Sequence, residues 1–459
     1  MPDKPPQRLP LAVSPENRDE TTNRDAKIIN GYLEQVSKED IMIYKRPGLA
    51  TYSTATAGAG CGIYNWLGNI YTIWGATLYK DNVAVSGTVD TTGGVYTFSQ
   101  CLGATPKLFF QNGVKAYTYD AGAGLVNVSD GDYPAAAQKG SAYLDGTTYV
   151  MTGKASIQGS ALNDPTSWDP ANVLIAQIEP DGGIFLAKQL VYVIAFKQWS
   201  VEVFYDAGNA AGSPLAPVQG AKVSVGCKHQ DTVRELEGTL FWLSQSRGGS
   251  IGVMEMDGLK AKTISTPAIE RLLQQADFTT VYSWVTKVAG HKLYVVTLTA
   301  SNLTLAYDVT SQRWYQWTDS GGNYFPIISS TISSAQQPLL QHATNGLVYK
   351  MEITNYTDQG ALITFDLYTP NYDGGTRMGK YMHSMDVVAD QTTGSTLQIR
   401  KSDDDYQTWS NFRTVDLGSK RPRLTGCGTF RRRAYHLRHA CNTPFRISAI
   451  EPQLDICTL

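Results

Sequence analysis

Long apolar runs are missing from this chain of 459 residues. No stretch approaches the ~18 consecutive apolar residues that a membrane-spanning helix needs. The first thirteen residues, MPDKPPQRLPLAV, also lack the apolar segment of a secretory signal peptide. We therefore expect a protein that is made and folded in a cytoplasm, with no stable membrane association.

Cysteine is scarce, and no two cysteines lie close together in the sequence. The absence of a CxxC pair argues against a zinc clip or a thiol redox motif. In a chain of this length, we expect the cysteines to be reduced and buried. The six positions are Cys61, Cys101, Cys227, Cys427, Cys441 and Cys457.

Charge is also low, because only 17% of the residues are charged and the formal net charge is −2. This balance argues against a protein that envelops nucleic acid or adheres broadly to membranes. Glycine and tyrosine are abundant instead, with 42 and 26 residues. Many aromatic residues combined with many glycines favour an all-β fold with numerous tight turns.

A strand–turn–strand unit recurs from about residue 61. Its spacing of roughly 40 to 50 residues is that of four-stranded propeller blades. The second strands of the units are at 69–75, 107–113, 147–153, 189–196, 239–245 and 291–298, with a weaker seventh at 346–353. The repeat predicts a six- or seven-bladed β-propeller, and an irregular pair of β-sandwiches is the alternative.

We divide the chain into three regions: an N-terminal arm with the first strands at 1–60, the propeller at 61–360, and a C-terminal antiparallel, β-sandwich-like domain at 361–459. The arm proper is residues 1–27, for which a disordered tail is the alternative. One short helix is expected at 266–275. There Thr266 is a suitable N-cap, Pro267 occupies the first helical position, and apolar residues recur at helical spacing.

No set of residues stands out as a catalytic, metal-binding or cofactor-binding site, and we predict no enzyme activity and no cofactor. A glycosidase needs two carboxylates facing each other across a sugar. The spacing pairs none of the candidates, which are Glu202, Glu270, Asp308, Asp404 and Asp405. His436 and His439 would point to opposite faces of a strand, which disfavours a joint metal site.

Residues 402–409, SDDDYQTW, resemble the Asp-box hairpin of sialidases and other propellers. In that hairpin an Asp side chain binds turn amides and a Trp packs beneath. Tyr406 stands at the glycine position, so the match is imperfect. The box is a structural turn even in those enzymes, although it keeps a sialidase-like, carbohydrate-active propeller open as an alternative.

Positive charge is concentrated near the C-terminal end. From Arg400 to Arg446 there are eleven Lys or Arg and four Asp, which leaves the rest of the chain net acidic. The dense runs predict contact with phosphate or with an acidic partner surface, and a solvated edge strand is the alternative. The residues predicted to make this contact are Arg421, Arg423, Arg431, Arg432 and Arg433.

Four stretches, taken in order, resemble the packaged-DNA stabilisation proteins of short-tailed phages, also called tail hubs or nozzles. A strand with a Glu and aromatic residues before a Gly/Ala loop is matched by 201–211. A Ser/Thr-x-x-Ile-Glu helix start is matched by 265–270. IINGYLEQ…IYKRPGL near the beginning and a basic strand pair at 431–454 complete the resemblance, which spans 28–459.

The resemblance implies a propeller-containing subunit of the virion tail that is assembled in the bacterial cytoplasm. Such subunits form a ring of six below the portal and adaptor, retain packaged DNA, line its exit channel and hold the tail needle or fibres. Non-specific contact with exiting double-stranded DNA is implied as well. Besides the carbohydrate-active enzyme, a propeller scaffold that binds host proteins remains an alternative.

Overall fold

A computed structural model describes residues 8–11, 13, 15–16, 24–35, 41–209 and 211–457. In these ranges the protein is built from β-strands and has one α-helix of nine residues. None of the helices in the described ranges is long and apolar enough to cross a membrane. The expectation of an all-β protein with scarce helix is confirmed.

The strands fall into an N-terminal group and seven blades. The N-terminal strands are β1 (Lys27–Ile29), β2 (Gly31–Gln35), β3 (Ile41–Lys45) and β4 (Gly48–Thr54). Blades one to three comprise β5 (Gly60–Trp66), β6 (Asn69–Trp74), β7 (Thr77–Lys80), β8 (Val83–Ala84); β9 (Thr97–Cys101), β10 (Lys107–Gln111), β11 (Ala116–Asp120), β12 (Gly124–Asn127); and β13 (Ala142–Leu144), β14 (Thr147–Met151), β15 (Ser156–Ala161), β16 (Asp164–Ile175).

The remaining blades follow the same antiparallel order. Blades four and five comprise β17 (Gly183–Gln189), β18 (Tyr192–Lys197), β19 (Val201–Asp206), β20 (Leu215–Pro217); and β21 (Gly226–Cys227), β22 (Arg234–Leu236), β23 (Thr239–Gln245), β24 (Ile251–Asp257), β25 (Lys260–Thr263). Blades six and seven comprise β26 (Val281–Val288), β27 (His291–Leu298), β28 (Leu303–Asp308), β29 (Arg313–Gln316); and β30 (Ile327–Ile332), β31 (Pro338–His342), β32 (Leu347–Glu352) with β4.

The blades contact one another in a closed ring. Blades one to four meet through their innermost strands β5, β9, β13 and β17, and blades five, six, seven and one meet through β22, β26, β30 and β5. Blades four and five meet through β18 and β21. The described residues thus form a seven-bladed β-propeller. The six strongest repeat strands predicted from the sequence are each the second strand of a blade. The weaker seventh, at 346–353, is instead the third strand of blade seven.

Blade seven is completed by the N-terminal strand β4, which pairs antiparallel with β32. The pairing sets Gly48 opposite Glu352 and Thr54 opposite Leu347. Because β4 also leads directly into blade one, the two ends of the propeller are fastened to each other.

Arg46 lies just before β4 and is fully buried. Its guanidinium forms two hydrogen bonds to the Asp358 carboxylate, donates to Asn30 Oδ1 at 3.0 Å and to the Thr318 carbonyl at 3.2 Å, and stacks over Phe325. One side chain thereby joins the N-terminal strands, blade six and the segment after blade seven.

Two-residue turns connect the first two strands of several blades. At Leu67-Gly68, Asp145-Gly146, Glu237-Gly238 and Ala289-Gly290, both residues of each turn have positive φ. This is the backbone of type I′ hairpins, whose twist matches that of paired strands. Glycine at the second position adopts positive φ without steric cost, which explains why the same turn recurs from blade to blade.

The predicted helix is α1 (Pro267–Gln275), which connects blades five and six. The Thr266 side chain accepts a hydrogen bond from the Ile269 amide, so the predicted N-cap is confirmed. Ile269, Leu272 and Leu273 are buried in a core shared by these two blades. The helix therefore packs against blades through its apolar stripe.

Nine further strands follow the propeller: β33 (Thr357–Asp358), β34 (Ala361–Leu362), β35 (Phe365–Tyr368), β36 (Lys380–Ala389), β37 (Thr396–Ser402), β38 (Arg413–Asp416), β39 (Arg423–Phe430), β40 (Ala434–His439) and β41 (Arg446–Ile456). Strands β33 and β34 extend the sheet of blade seven beyond β4, and the other seven form two sheets with N-terminal strands. One sheet has the order β2-β3-β41-β36-β39. The other runs from blade six through β1 to β35, β40, β37 and β38. N-terminal strands therefore belong to both sheets.

The described part of the N-terminal arm is packed. Leu9, Leu11 and Val13 are buried in the same core as the C-terminal strands, and the Leu9 amide donates to the Ile450 carbonyl at 3.0 Å. Leu9 therefore lies beside Ile450 of β41. The rest of the arm (1–7, 12, 14 and 17–23) lies outside the described residues, and the disordered-tail interpretation is untested there.

All six cysteines are free thiols. Four are buried, while Cys441 and Cys457 are half-buried. Burial raises the pKa of Cys227 to about 12, which keeps this thiol protonated.

Candidate functional site

A cavity of about 520 Å³ lies on the axis of the propeller. Its walls come from the innermost strands of six blades and include the stacked rings of Tyr64 and Phe98. Beyond the cavity, Lys139 reaches from the start of blade three to Asp231 in blade five, with a nitrogen–oxygen distance of 2.8 Å. This ion pair spans the interior, and both side chains are largely buried.

The axial cavity does not have the groups that a glycosidase needs. Among its lining residues Glu235 is the single carboxylate, and its Oε1 already accepts a hydrogen bond from the Gly238 amide. Nowhere in the described ranges do three His, Cys, Asp or Glu side chains come together as a possible metal site.

Glu202, one of the candidate carboxylates, lies in a buried ion cluster. Lys197 is 0% exposed and lies 2.9 Å from Asp181 and 2.5 Å from Glu202, whose side chains are 2% and 1% exposed. Lys197 also donates to the carbonyls of Ala176 and Glu179. Burial opposes ionisation of Asp181, but hydrogen bonds from Lys197, Trp199 and Ser200 outweigh it and lower the pKa. The cluster holds blade four together and offers no open position for a substrate.

The other candidate carboxylates stabilise local structure. Asp308 accepts from the Thr310 amide at 2.9 Å and contacts His291 at 2.7 Å, while Glu270 accepts from Ser265 at 2.9 Å. Asp308 thus bonds a turn amide and an imidazole, and Glu270 holds the first turn of α1. The structure brings no two of the five candidates together across a cavity.

The two histidines of β40 have separate surroundings. His436 contacts Asp366 at 2.6 Å and stacks on Tyr368, whereas His439 contacts Ser395 at 2.9 Å and stacks on Phe445. Burial, reinforced by the charge of Lys45, lowers the pKa of His439 to about 3. Both are buried: both ring nitrogens of His436 have partners, because Arg400 donates to its Nδ1, whereas His439 is bonded through Nε2 and its Nδ1 has no partner in the described part of the chain.

The Asp-box-like turn adopts its expected structure. Asp404 accepts from the Thr408 amide at 2.9 Å and from Ser402 at 2.8 Å, and the Tyr406 ring packs edge-on against Trp409. Tyr406 has φ of +66°, the region that the glycine of the box would occupy. The box is a structural turn, and Tyr406, which stands at the glycine position, carries backbone strain.

The Asp404 turn predicts a pH dependence of stability. Hydrogen bonds from Thr408, then Ser402, lower the pKa of Asp404 to about 2. Because the folded pKa lies below the unfolded value of about 3.9, the carboxylate stabilises the fold at neutral pH. This contribution is lost as pH falls from about 4 towards 2. We expect Asp404→Asn to lower the melting temperature at pH 6 and to narrow its difference from wild type near pH 3. A constant difference across this range would contradict the assignment.

The basic residues around β39 are separated by the fold. Arg421 and Arg423 both bind Asp386 at one end of the strand, and hydrogen bonds led by Arg423 lower the pKa of Asp386 to about 2. Arg431 and Arg432 lie at the other end, roughly 25 Å away at about 3.3 Å per residue. These arginines are close together in the sequence, but on the folded subunit they form two separate charged regions.

Arg433 is fully buried in the described subunit. It binds Asp403 through two hydrogen bonds of 2.6 and 2.9 Å and donates to the carbonyls of Cys427 and Thr429. Its side chain has no surface to present to a partner, so partner contact stays a prediction for the other four arginines.

Cationic side chains also cover the outer edge of β39. Arg413 donates to the carbonyls of Thr425 and Gly426, and Lys401 donates to that of Cys427 at 2.8 Å. Part of the positive charge therefore protects an edge strand from pairing. Arg431 remains exposed and forms no ion pair with any described residue, and Arg432 is 3.6 Å from Asp405. We call Arg431 and Arg432 the arginine turn.

Several structural residues were missed by the sequence analysis. Nothing in the repeat indicates that β4 completes blade seven, that Lys139 meets Asp231, or that Lys197 meets Glu202. One signal was present in the sequence. A lysine directly follows the apolar strand 189–196 and comes five residues before a glutamate inside another apolar strand, which is an unusual pair of charges for a core.

The solved structures that resemble this chain do so weakly. Among solved structures, virginiamycin B lyase from Staphylococcus aureus is 8% identical with a TM-score of 0.44, over 68% of this chain and 99% of that one. The extracellular domain of BT4673 from B. thetaiotaomicron is 9% identical with a TM-score of 0.45, over 86% and 58%. Likenesses this weak carry no argument about function. No curated protein matches the chain.

A family model matches residues 15–323, which is more than half of the chain. Its description is "Bacteriophage P22 Gp10, beta-propeller". The match agrees with the propeller seen in the structure and with the resemblance found in the sequence. The chain belongs to this family of phage stabilisation proteins, which are structural components of the virion.

Proposed function

We propose that this protein is a tail hub subunit that forms a ring of six below the portal and adaptor. The ring retains packaged DNA, lines the channel through which DNA leaves, and holds the tail needle or fibres. The observation that carries this proposal is the family match over residues 15–323. Ring size, partners and channel follow from the family resemblance and are the parts to be tested.

The propeller axis bears on where DNA could pass. The axial cavity of about 520 Å³ suits a small ligand, and the Lys139–Asp231 pair spans the interior beside it. The major groove of a DNA duplex is about 8.5 Å deep, so the duplex is roughly 17 Å or more across and does not fit there. The exit channel is therefore formed between subunits, which requires several copies around one axis with heterologous contacts.

The arginine turn and the exposed Arg421 are the surfaces we assign to contact with an acidic neighbour, the adaptor or exiting DNA. The Arg421 side chain is 64% exposed and that of Arg432 is 55% exposed, so both are available to a partner. Arg423 is half-buried against Asp386 and supports Arg421 at the same carboxylate. Contacts of this kind with phosphate are independent of base sequence and weaken with salt.

The test is charge reversal of the arginine turn, Arg431→Glu with Arg432→Glu. Arg433 is left intact because its buried pair with Asp403 is structural. We expect a folded subunit with an unchanged melting temperature, and at least ten-fold fewer particles that retain DNA. DNA retention would be measured by nuclease sensitivity and electron microscopy of particles.

The matched control reverses two exposed lysines of the propeller, Lys154→Glu with Lys260→Glu. Neither forms an ion pair with any residue of the described ranges. If the control leaks DNA as much as the arginine variant, the loss reflects overall charge. If particles assembled with the arginine variant contain the hub and retain DNA normally, the arginine turn is only a solvated edge.

A further inference from the structure

The outer strands of the blades differ greatly in length. Strands β8, β12, β20 and β25 have only two to four residues. The outer strands of blades six and seven, β29 and β4, are each joined by a further strand, β1 or β33. Strand β16 of blade three is twelve residues long, although its register against β15 shifts between Trp168 and Val173, and no described strand pairs with its outer side. Proteins usually keep such edges short or cover them.

The backbone of β16 presents hydrogen-bonding groups at this edge. The Ala176 amide donates to the Ala155 carbonyl at 2.9 Å, which orients Ala176 towards β15. Since direction alternates along an antiparallel strand, Leu174 also faces β15, and Val173 and Ile175 face away. The amide and carbonyl of Val173 and Ile175 have no partner within the described part of the chain.

Apolar side chains accompany these groups. Val173, Ile175 and, just beyond the strand, Ile178 are 40%, 54% and 49% exposed. Leu174, on the other face of the sheet, packs against the core of blades three and four. Exposed apolar residues on an open edge strand are typical of a surface that pairs with another chain.

Acidic residues lie beside β16. The Trp168 amide of β16 donates to Asp130, and Gln158 of the neighbouring strand β15, which pairs with Val173, donates to the Asp132 carbonyl at 2.8 Å. Asp130, Asp132 and Asp169 form no ion pair with any described residue. A second copy docking edge to edge would add three more carboxylates, and like charges facing each other across strands are destabilising. A strand that carries positive charge would be attracted.

We propose that the outer side of β16 is a docking site for an extended segment of another virion protein. The segment adds to blade three as a fifth strand, places alternate apolar side chains over Val173 and Ile175, and directs a Lys or Arg towards Asp132 and Asp169. The pairings of β1 with β29 and of β33 with β4 show within one chain that outer blade edges accept further strands. This inference goes beyond the proposed function, because it concerns the edge of blade three, whereas the arginine turn lies among the C-terminal strands.

Amide hydrogen exchange provides the first test. The probes are the purified full-length protein and intact virions that contain it. We expect the amides of Val173 and Ile175 to exchange at least ten-fold more slowly in virions. Equal exchange in the two samples would overturn the proposal.

The second test is Ile175→Pro, which removes an outward amide while leaving the ladder to β15 intact. Asn127→Pro is the matched control, since Asn127 is at an outward position on β12: the adjacent Val128 amide donates inward to the Ala116 carbonyl. We expect the Ile175 variant to melt like the control but to yield particles with at least ten-fold less of one tail component. Particles of wild-type composition would overturn the proposal.

If Ile175→Pro fails to fold, Val173→Lys with Ile175→Lys keeps every backbone donor and tests the same edge. Self-association of the purified protein that these lysines abolish would identify a second copy as the occupant and overturn the assignment to another protein. The two proposals fail separately: loss of DNA retention follows from the arginine turn, whereas loss of a tail component follows from β16.

Discussion

Replacing Lys197 with methionine should lower the free energy of unfolding by about 4 kcal/mol, because breaking a buried ion pair from one side leaves an uncompensated charge. Here two buried carboxylates, Asp181 and Glu202, would lose their shared cation. The measurement is urea unfolding at pH 7. The control is Lys222→Met in the same part of the chain, where both side chains of the Lys222–Glu179 pair are 28% exposed and solvent screens the interaction, so a much smaller loss is expected.

The variant should also respond to pH in the opposite direction from wild type. In the wild type the lowered pKa of Asp181 stabilises the fold at neutral pH, and this contribution is lost as pH falls below about 4. Without the Lys197 hydrogen bond that lowers its pKa, the buried Asp181 carboxylate is easier to protonate, so stability should recover as pH falls from 7 towards 5. A Lys197 variant that unfolds like its control, or loses stability over this range, would contradict the cluster's role.

The second large effect is expected for Arg46→Leu, at about 3 kcal/mol. The substitution leaves Asp358 without its cation, removes the guanidinium donor to the Thr318 carbonyl, and leaves Asn30 Oδ1 with the Thr318 amide as its donor. The urea midpoint should fall accordingly. Arg247→Leu is the control, since the Arg247 side chain is 63% exposed beside Glu179. If the two variants unfold at the same midpoint, Arg46 does not fasten the N-terminal strands.

The blades were predictable because their signals are local. Strands, Gly-containing turns and the cap of α1 each depend on a few neighbouring residues, and the sequence placed the cap and six of the seven repeat strands correctly. The arginines show the limit. Their charge can be counted in sequence, but Asp386 and Asp403 neutralise part of it only after strands far apart have paired.

The closing strand was not predictable for a related reason. An apolar repeat shows that a unit exists, but not which distant strand completes it. Strand β4 is far from β32 in sequence and pairs with it only in the folded chain. The C-terminal half of β4 is rich in Thr and Ser rather than in the aromatic residues typical of the other blades. The domain boundaries at 60 and 360 remain a prediction, since β1 to β3 join sheets formed mainly by later strands.

The closure of blade seven by β4 also has a consequence in time. During synthesis β4 leaves the ribosome early, yet its partner β32 is made only after residue 346. Until then the ring is open and β4 has an unpaired edge, which is a state that can pair wrongly with other chains. A prematurely terminated chain thus cannot close its propeller. Closure of the ring therefore requires that translation has passed blade seven.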